Sequence, residues 1–163
     1  NFTPPSSPLS SSGATLHIKG TDASIIDKAQ TSNLALAGAA SGSTTQVKFA
    51  STKSMYFDGN GDSLSITPGY DNTIYNFGTA DWTIEVWAYI QTLSSGRNLI
   101  SFLRASTNEA VPHFYTMDTG LRYYINNADV ITTPSVLSLN TWHHIALTRN
   151  GNDHKIFVDG THV

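Results

Sequence analysis

The chain has 163 residues, of which 13% are charged, and a formal net charge of -3. Ser, Thr, Asn and Gly are abundant, while Glu occurs only as Glu85 and Glu109, which argues against helical bundles and coiled coils. Lys and Arg are scattered singly, so no nucleic-acid-binding surface is expected, and no apolar run approaches the roughly 18 residues that span a bilayer. Because the chain has no Cys, disulfides, thiol catalysis and Cys-ligated zinc are excluded.

Residues 1–13 are rich in Pro and Ser, and we interpret them as a linker because such a stretch forms neither a sheet ladder nor a helix. Residues 14–163 are interpreted as one domain. Alternating apolar side chains predict strands at Ala14–Lys19 and around Leu34 and Leu36. The segment between these strands has no helical repeat, so it is predicted to be a loop or a short extended piece.

Glycines mark the predicted turns in residues 42–62. A short strand is predicted at Val47–Phe49, and two more, Ser54–Phe57 and Leu64–Ile66, flank the Gly-rich turn Asp58–Asp62. This pattern predicts a hairpin-like or bulged strand with a tight turn. A loop rich in Tyr and Asn, Pro68–Phe77, follows.

The strongest strand pattern runs from Trp82 to Ile90. Its alternation places Trp82, Ile84, Val86, Ala88 and Ile90 on one face and Thr83, Glu85, Trp87, Tyr89 and Gln91 on the other. Because both faces carry large side chains, we predict a central position in a sheet. The remaining predicted strands are Asn98–Leu103, Pro112–Tyr115, Leu121–Asn126, Ala128–Thr132, Trp142–Arg149 and Lys155–Val158. Many short strands with almost no helix predict an all-β antiparallel β-sandwich, and a jelly roll in particular.

Three blocks of sequence carry a resemblance to a known family. They are SMYFDGNGDSLSI, FGTADWTIEVWAYIQ and LSLNTWHHIALTRNGNDHKIFVDG, in that order. Together they resemble the laminin-G-like jelly rolls of the concanavalin A-like lectin/glucanase superfamily, especially the tandem copies in structural and adhesin-like proteins of bacteriophages and marine bacteria. The resemblance covers residues 14–163 and implies a jelly roll that lacks its last strands, because such domains continue past the Phe-Val-Asp-Gly turn. Asn1–Pro5 resembles the tail of a preceding copy.

Two groups of residues are candidates for binding sugar, whose rings stack on aromatic faces and whose hydroxyls pair with carboxylates and amides. The candidates are Glu85, Trp87 and Tyr89 on the strand, and Tyr70, Asn72 and Tyr75 in the loop. The alternative interpretation is that Trp87 and Tyr89 belong to a packed core, since aromatic side chains bury large areas.

Asp58, Asn60 and Asp62 alternate oxygen-bearing side chains, as the first ligands of a calcium loop do. An EF-hand would need a bidentate Glu where Gly69 stands, so that motif is excluded. A single calcium ion at this turn remains one hypothesis. The other is a turn in which glycines supply positive φ angles and the Asp side chains accept hydrogen bonds from backbone amides.

Catalysis and zinc binding are not expected. The resemblance implies that glucanases of this superfamily place paired carboxylates on one strand, because one acts as acid and the other as nucleophile. Here the comparable strand holds only Glu85, and Glu109 lies in a different stretch. His143 and His144 are adjacent on a predicted strand, so they point to opposite faces and cannot chelate one ion together.

Two functions are consistent with these patterns. The first is a non-catalytic carbohydrate-binding or adhesion module, in a phage virion or on a cell surface. The second is a structural spacer or decoration domain of a virion appendage or capsid, in contact with other protein chains or with copies of itself as a homo-oligomer. Neither involves nucleic acid or insertion into a membrane.

Overall fold

The structure is a computed structural model that describes residues 1–8, 10, 12–21, 24–30, 32–50, 52–68, 75, 77–92, 96–102 and 112–163. In these ranges the regular structure is β throughout. The strands in chain order are β1 (Ile18–Thr21), β2 (Ser24–Asp27), β3 (Ser32–Ala37), β4 (Ser41–Ser43), β5 (Ser54–Tyr56), β6 (Ser63–Pro68), β7 (Trp82–Tyr89), β8 (Arg97–Ser101), β9 (His113–Met117), β10 (Gly120–Ile125), β11 (Ala128–Thr132), β12 (Trp142–Asn150), β13 (Asp153–Val158) and β14 (Thr161–His162). Two compact units are formed, one from Asn1–Pro4 with Asn76–Val163 and the other from Pro5–Tyr75. We call the first the sandwich unit and the second the hairpin unit.

The sandwich unit contains two antiparallel four-stranded sheets, ordered β11-β10-β9-β8 and β14-β13-β12-β7. Alternation along the strands sends one face of each sheet into a shared core. The buried core residues are Phe114, Leu121 and Tyr123 from the first sheet, Ile145, Leu147, Ile156 and Val158 from the second, and Leu137 from the connection between β11 and β12. The predicted all-β sandwich is therefore confirmed.

Short turns set the strand pairing of the sandwich unit. Asn126 and Asn127, between β10 and β11, have φ angles of 52° and 63°. A two-residue hairpin turn with positive φ at both positions has the twist that suits antiparallel strands, and Asn tolerates this conformation better than most residues. Asp159 and Gly160 have positive φ as well, 49° and 80°, and connect β13 to β14.

The hairpin unit contains three two-stranded sheets, β1-β2, β3-β6 and β4-β5. The hairpin alternative at Asp58–Asp62 is wrong, because β5 pairs with β4 and β6 pairs with β3. The side chain of Asp62 explains the difference, since it accepts hydrogen bonds from the amides of both Asp58 and Ala39. The turn is thereby fastened to the end of β3 instead of closing a hairpin.

Two further predictions need correction. Val47–Phe49 forms no strand, and Lys48 and Phe49 lie in bends. The hydroxyl of Thr52 donates a hydrogen bond to the carbonyl of Phe49 at 2.6 Å. A local side-chain bond of this kind competes with sheet pairing. The predicted central position of β7 is also wrong, because within the described residues β7 pairs only with β12 and ends its sheet. Large side chains on both faces indicate that other parts of the protein pack above and below the strand. They do not indicate how many strands pair with it within the sheet.

Among the residues that the structure describes, no helix has the length and apolar character needed to cross a membrane.

Candidate functional site

The outer face of the β8–β11 sheet carries a cluster of aromatic and polar side chains. In β9 and β10, Phe114, Leu121 and Tyr123 point into the core, so their neighbours along each strand point outward. We call the outward cluster the tyrosine face; it consists of Asn98, His113, Tyr115, Arg122, Tyr124 and Asp129. Strand pairing sets Arg122 opposite Tyr115 and Tyr124 opposite both His113 and Asp129, which brings side chains from all four strands together.

Asp129 connects three strands of the tyrosine face. Its Oδ1 accepts a hydrogen bond from the hydroxyl of Tyr115 at 2.8 Å, and its Oδ2 accepts one from Nη1 of Arg122 at 2.7 Å. The Arg122 and Asp129 side chains are about equally half-buried, 28% and 29% exposed. Burial, reinforced by the hydrogen bond to Asp129, raises the pKa of Tyr115, so this hydroxyl keeps its proton and remains a donor at neutral pH.

His113 lies between the two tyrosine rings. Its centroid is 4.9 Å from that of Tyr115 and 6.1 Å from that of Tyr124. Its Nε2 lies 2.6 Å from the amide oxygen of Asn98, so Nε2 carries the hydrogen and Nδ1 is an acceptor in the neutral ring. Burial lowers the pKa of His113 and outweighs the nearby carboxylate of Asp129, which raises it.

The tyrosine face offers apolar ring surface beside hydrogen-bonding groups that are fixed in place by their neighbours. The hydroxyl of Tyr124 donates to the side-chain oxygen of Asn127 at 3.1 Å, which orients that ring as well. A rigid, amphipathic surface of this composition suits a ligand that has both C–H faces and hydroxyl groups. Asp129, Arg122 and Asn98 can each exchange hydrogen bonds with such hydroxyls.

Glu85 and Trp87, two of the predicted sugar-binding residues, meet around His144 in the other sheet. Oε2 of Glu85 is 3.1 Å from Nε2 of His144, and the ring centroids of Trp87 and His144 are 5.0 Å apart. His144 is fully buried, and its Nδ1 has no hydrogen-bond partner among the described residues. Trp87 is half-buried, and Phe2 packs edge-on against the His144 ring, with centroids 5.6 Å apart.

The other predicted sugar-binding residues are dispersed or lie outside the described residues. Tyr89 packs against Trp142, with ring centroids 5.6 Å apart. Tyr75 belongs to the hairpin unit, where its hydroxyl is hydrogen-bonded to the hydroxyl of Ser32. Tyr70 and Asn72 lie outside the described residues, so the predicted sugar contacts of the loop remain a prediction.

Asp58, Asn60 and Asp62 form a turn closed by backbone amides. The amide of Asn60 donates to Oδ1 of Asp58 and the amide of Asp58 donates to Oδ2 of Asp62, both at 2.7 Å. The hydrogen bond from the Asp58 amide, together with one from Ala39, lowers the pKa of Asp62. Within the described ranges no group of three or more His, Cys, Asp or Glu side chains is suited to a metal ion, and calcium at this turn remains a prediction.

His143 and His144 have separate partners, in agreement with their adjacent positions on β12. The amide of Ser138 donates to Nε2 of His143 at 3.1 Å, so the ring hydrogen is on Nδ1, which donates to Oδ2 of Asp159 at 2.7 Å. The other oxygen of Asp159, Oδ1, accepts a hydrogen bond from the backbone amide of His144 at 2.9 Å. Asp159 therefore ties the β13–β14 turn to β12.

The comparisons with known proteins agree with this architecture. Residues 58–163 match the family model Laminin_G_3, described as the concanavalin A-like lectin/glucanases superfamily. No curated protein and no solved structure matches the chain. The matched region covers both sheets of the sandwich unit and more than half of the chain. The chain therefore belongs to the concanavalin A-like lectin/glucanase superfamily.

Proposed function

We propose that this chain is a non-catalytic carbohydrate-binding module and that the tyrosine face is its binding surface. The observation that carries the proposal is the fixed arrangement of His113, Tyr115 and Tyr124 beside the Arg122–Asp129 pair. Membership of a superfamily named for lectins and glucanases supports carbohydrate as the ligand class. Fold membership alone leaves the ligand open, so the proposal depends on the residues of the face.

The chemistry of a sugar explains why this face suits it. A pyranose ring presents C–H groups on one side, which pack against aromatic rings, and hydroxyls around its edge. The carboxylate of Asp129 accepts hydrogen bonds and the guanidinium of Arg122 donates them, so one hydroxyl can use both. Each net hydrogen bond contributes about 0.5–1.5 kcal/mol, and a shallow face makes few of them. We therefore expect a dissociation constant of about 1 mM for one module, equivalent to about 4 kcal/mol.

The surroundings of the acidic groups support binding without catalysis. Glu85 is hydrogen-bonded to His144 in one sheet, whereas Asp129 is held by Tyr115 and Arg122 in the other. Glycoside hydrolysis by paired carboxylates needs two acids on opposite sides of one bond. Glu109, the other Glu of the chain, lies outside the described residues.

We further propose that the module acts at the surface of a virion or cell. The sequence resemblance to tandem modules of phage and bacterial adhesin-like proteins supports this setting. Several weak modules on one particle would raise overall avidity through effective concentration. A single module would then bind weakly, while a cluster of modules would hold the particle on a glycan-coated surface.

A glycan array probed with the full chain, followed by calorimetry on the best ligand, tests the proposal. Tyr115→Ala and Arg122→Ala should weaken glycan binding, by about tenfold for Arg122→Ala, while the matched control Trp87→Ala on the other sheet should retain it. The reverse pattern would move the site to the Glu85–Trp87 surface. Failure to bind any glycan, with the fold intact by circular dichroism, would overturn the function.

A further inference from the structure

The first four residues dock on the outer face of the sheet that contains β12, β13 and β14. The amide of Phe2 donates to the carbonyl of Gly160 at 2.8 Å, and the amide of His162 donates to Oδ1 of Asn1 at 3.1 Å. The Phe2 ring packs edge-on against His144 and Phe157, with centroid separations of 5.6 and 5.3 Å. Two hydrogen bonds and two ring contacts thus fasten a segment of four residues.

Gly160 provides the space for this segment. A Cβ atom at Gly160 would lie 1.8 Å from the carbonyl oxygen of Phe2 and 3.0 Å from Cδ of Pro4. The φ angle of Gly160 is +80°, which most residues with a side chain avoid. The docking surface, which we call the Phe2 seat, therefore consists of His144, Phe157, Gly160 and His162.

The segment 1–4 and the Phe2 seat are far apart in the sequence. Asn1–Pro4 belongs to the sandwich unit, whereas the chain from Pro5 onward belongs to the hairpin unit. Residues 5–13, which follow the segment, are rich in Pro and Ser. Such a composition favours an extended, semi-rigid chain. The hydrogen bonds and ring contacts at the seat come from Asn1 and Phe2 themselves, so an identical segment from another molecule would form the same ones.

We propose that the Phe2 seat is an exchange site, at which residues 1–4 of a second copy of this chain dock in place of the chain's own. Exchange of an identical element between copies costs little, because each hydrogen bond and ring contact that breaks within one molecule forms again between two. Docking within one molecule has the advantage of a high effective concentration, so exchange grows with protein concentration. The result is a linked series of copies, which is the multivalent arrangement a weak binding module needs.

The absence of Cys from the chain permits a direct test. One full-length variant carries Asn1→Cys and a second carries His162→Cys, each with a different affinity tag. The two are mixed over a range of concentrations and oxidised. Because each molecule has one thiol at either the segment or the seat, a disulfide that joins the two tags reports docking between molecules. We expect this heterodimer to form and to increase with concentration.

Three controls make the result decisive. Asn152→Cys, in the exposed turn at the opposite end of β13, replaces His162→Cys and measures random collision. Phe2→Ala in the first chain or Gly160→Ala in the second should reduce the heterodimer to that background. Thermal unfolding of each variant verifies that it is folded. Light scattering of the unmodified chain should show dimers and longer assemblies that Phe2→Ala removes.

The proposal would be overturned if folded variants gave, at every concentration, no more heterodimer than the Asn152→Cys control. A yield that Phe2→Ala and Gly160→Ala leave unchanged would also overturn it. Neither result depends on glycan, so failure of exchange is distinguishable from failure of the proposed function.

Discussion

The two sheets of the sandwich unit carry outer faces of similar composition and opposite character. On the tyrosine face, Tyr115 and Arg122 both donate hydrogen bonds to Asp129 across strands, and the Arg122 and Asp129 side chains remain half-buried. On the other sheet, His144 is fully buried beside Trp87 and lies under Phe2, a residue far away in sequence. Both faces combine rings with charged groups. Among the described residues, Phe2 packs on the rings of the second face, whereas the contacts of the tyrosine face come from its own strands and turn. We therefore propose the tyrosine face for binding and assign the face under Phe2 to stability.

Replacement of His144 should give the largest effect on stability. His144→Ala removes a fully buried ring that packs against Trp87 and Phe2, so we expect a loss of about 2–4 kcal/mol in the free energy of unfolding. Urea unfolding of the variant and the parent chain measures this. Tyr124→Ala is the counterpart on the tyrosine face and should cost clearly less. Equal losses from the two variants would erase the proposed distinction between the faces.

Gly160→Ala should have the next largest effect on stability. The added Cβ meets the carbonyl oxygen of Phe2, and the positive φ angle disfavours any side chain, so we expect a loss of about 1–3 kcal/mol. Thermal unfolding checks the change. Gly151→Ala is a matched control, because it has a φ angle of +60° and open space around the Cβ position. If both substitutions cost the same, the loss comes from backbone strain and not from displacement of Phe2.

On the tyrosine face we expect loss of ligand binding with little loss of stability. Arg122→Ala should weaken the best glycan by about tenfold, or about 1.4 kcal/mol, because a charge-assisted hydrogen bond to the sugar is lost. An ion pair with half-exposed partners contributes less than about 1 kcal/mol to folding. Calorimetry and urea unfolding on the same samples separate the two quantities. Tyr115→Phe, which keeps the ring and loses the hydroxyl, should fall between parent and Arg122→Ala in affinity.

The alternation of apolar and polar residues was sufficient to predict most strands of the sandwich unit. Trp82–Ile90 and Trp142–Arg149 match β7 and β12 closely, because each strand has one face in the core and alternation records that burial. Short strands with no apolar pattern were missed, among them β4 with the sequence Ser-Gly-Ser. The position of β7 at the end of its sheet, among the described residues, is not predicted either, since periodicity within a strand does not indicate its lateral partner.

The sites show the same limit. The tyrosine face depends on the register that sets Arg122 opposite Tyr115 and Asp129 opposite Tyr124, and register arises from turns and long-range pairing. Alternation in β9 and β10 gave a signal for the tyrosine face, because the outward positions His113, Tyr115, Arg122 and Tyr124 are aromatic or charged. The Phe2 seat had no local signal, since residue 2 contacts residues near 160. Glu85 and Trp87 were correctly placed on one face, whereas the residue that covers His144 was not foreseen.

The smallest expected effect is a pH dependence that belongs to the tyrosine face. Burial lowers the pKa of His113 below its ordinary value of 6.5, so the unfolded chain takes up a proton before the folded chain does. The free energy of unfolding therefore rises with pH through the interval between the folded pKa of His113 and 6.5. Below the folded pKa, the full loss of stability due to His113 is present. Urea unfolding across this interval should show a slope that His113→Gln reduces.

His154 in the other sheet needs its own control in that experiment. Burial, aided by the positive charge of Arg149, also lowers the pKa of His154, so its contribution has the same sign. His154→Gln should reduce the stability slope as well, but only His113→Gln should remove the pH dependence of glycan binding. Protonation of His113 turns the accepting Nδ1 into a donor, which alters the hydrogen bonds offered to a sugar. Glycan affinity that falls on acidification in the His113→Gln variant as steeply as in the parent chain would show that the binding surface lies elsewhere.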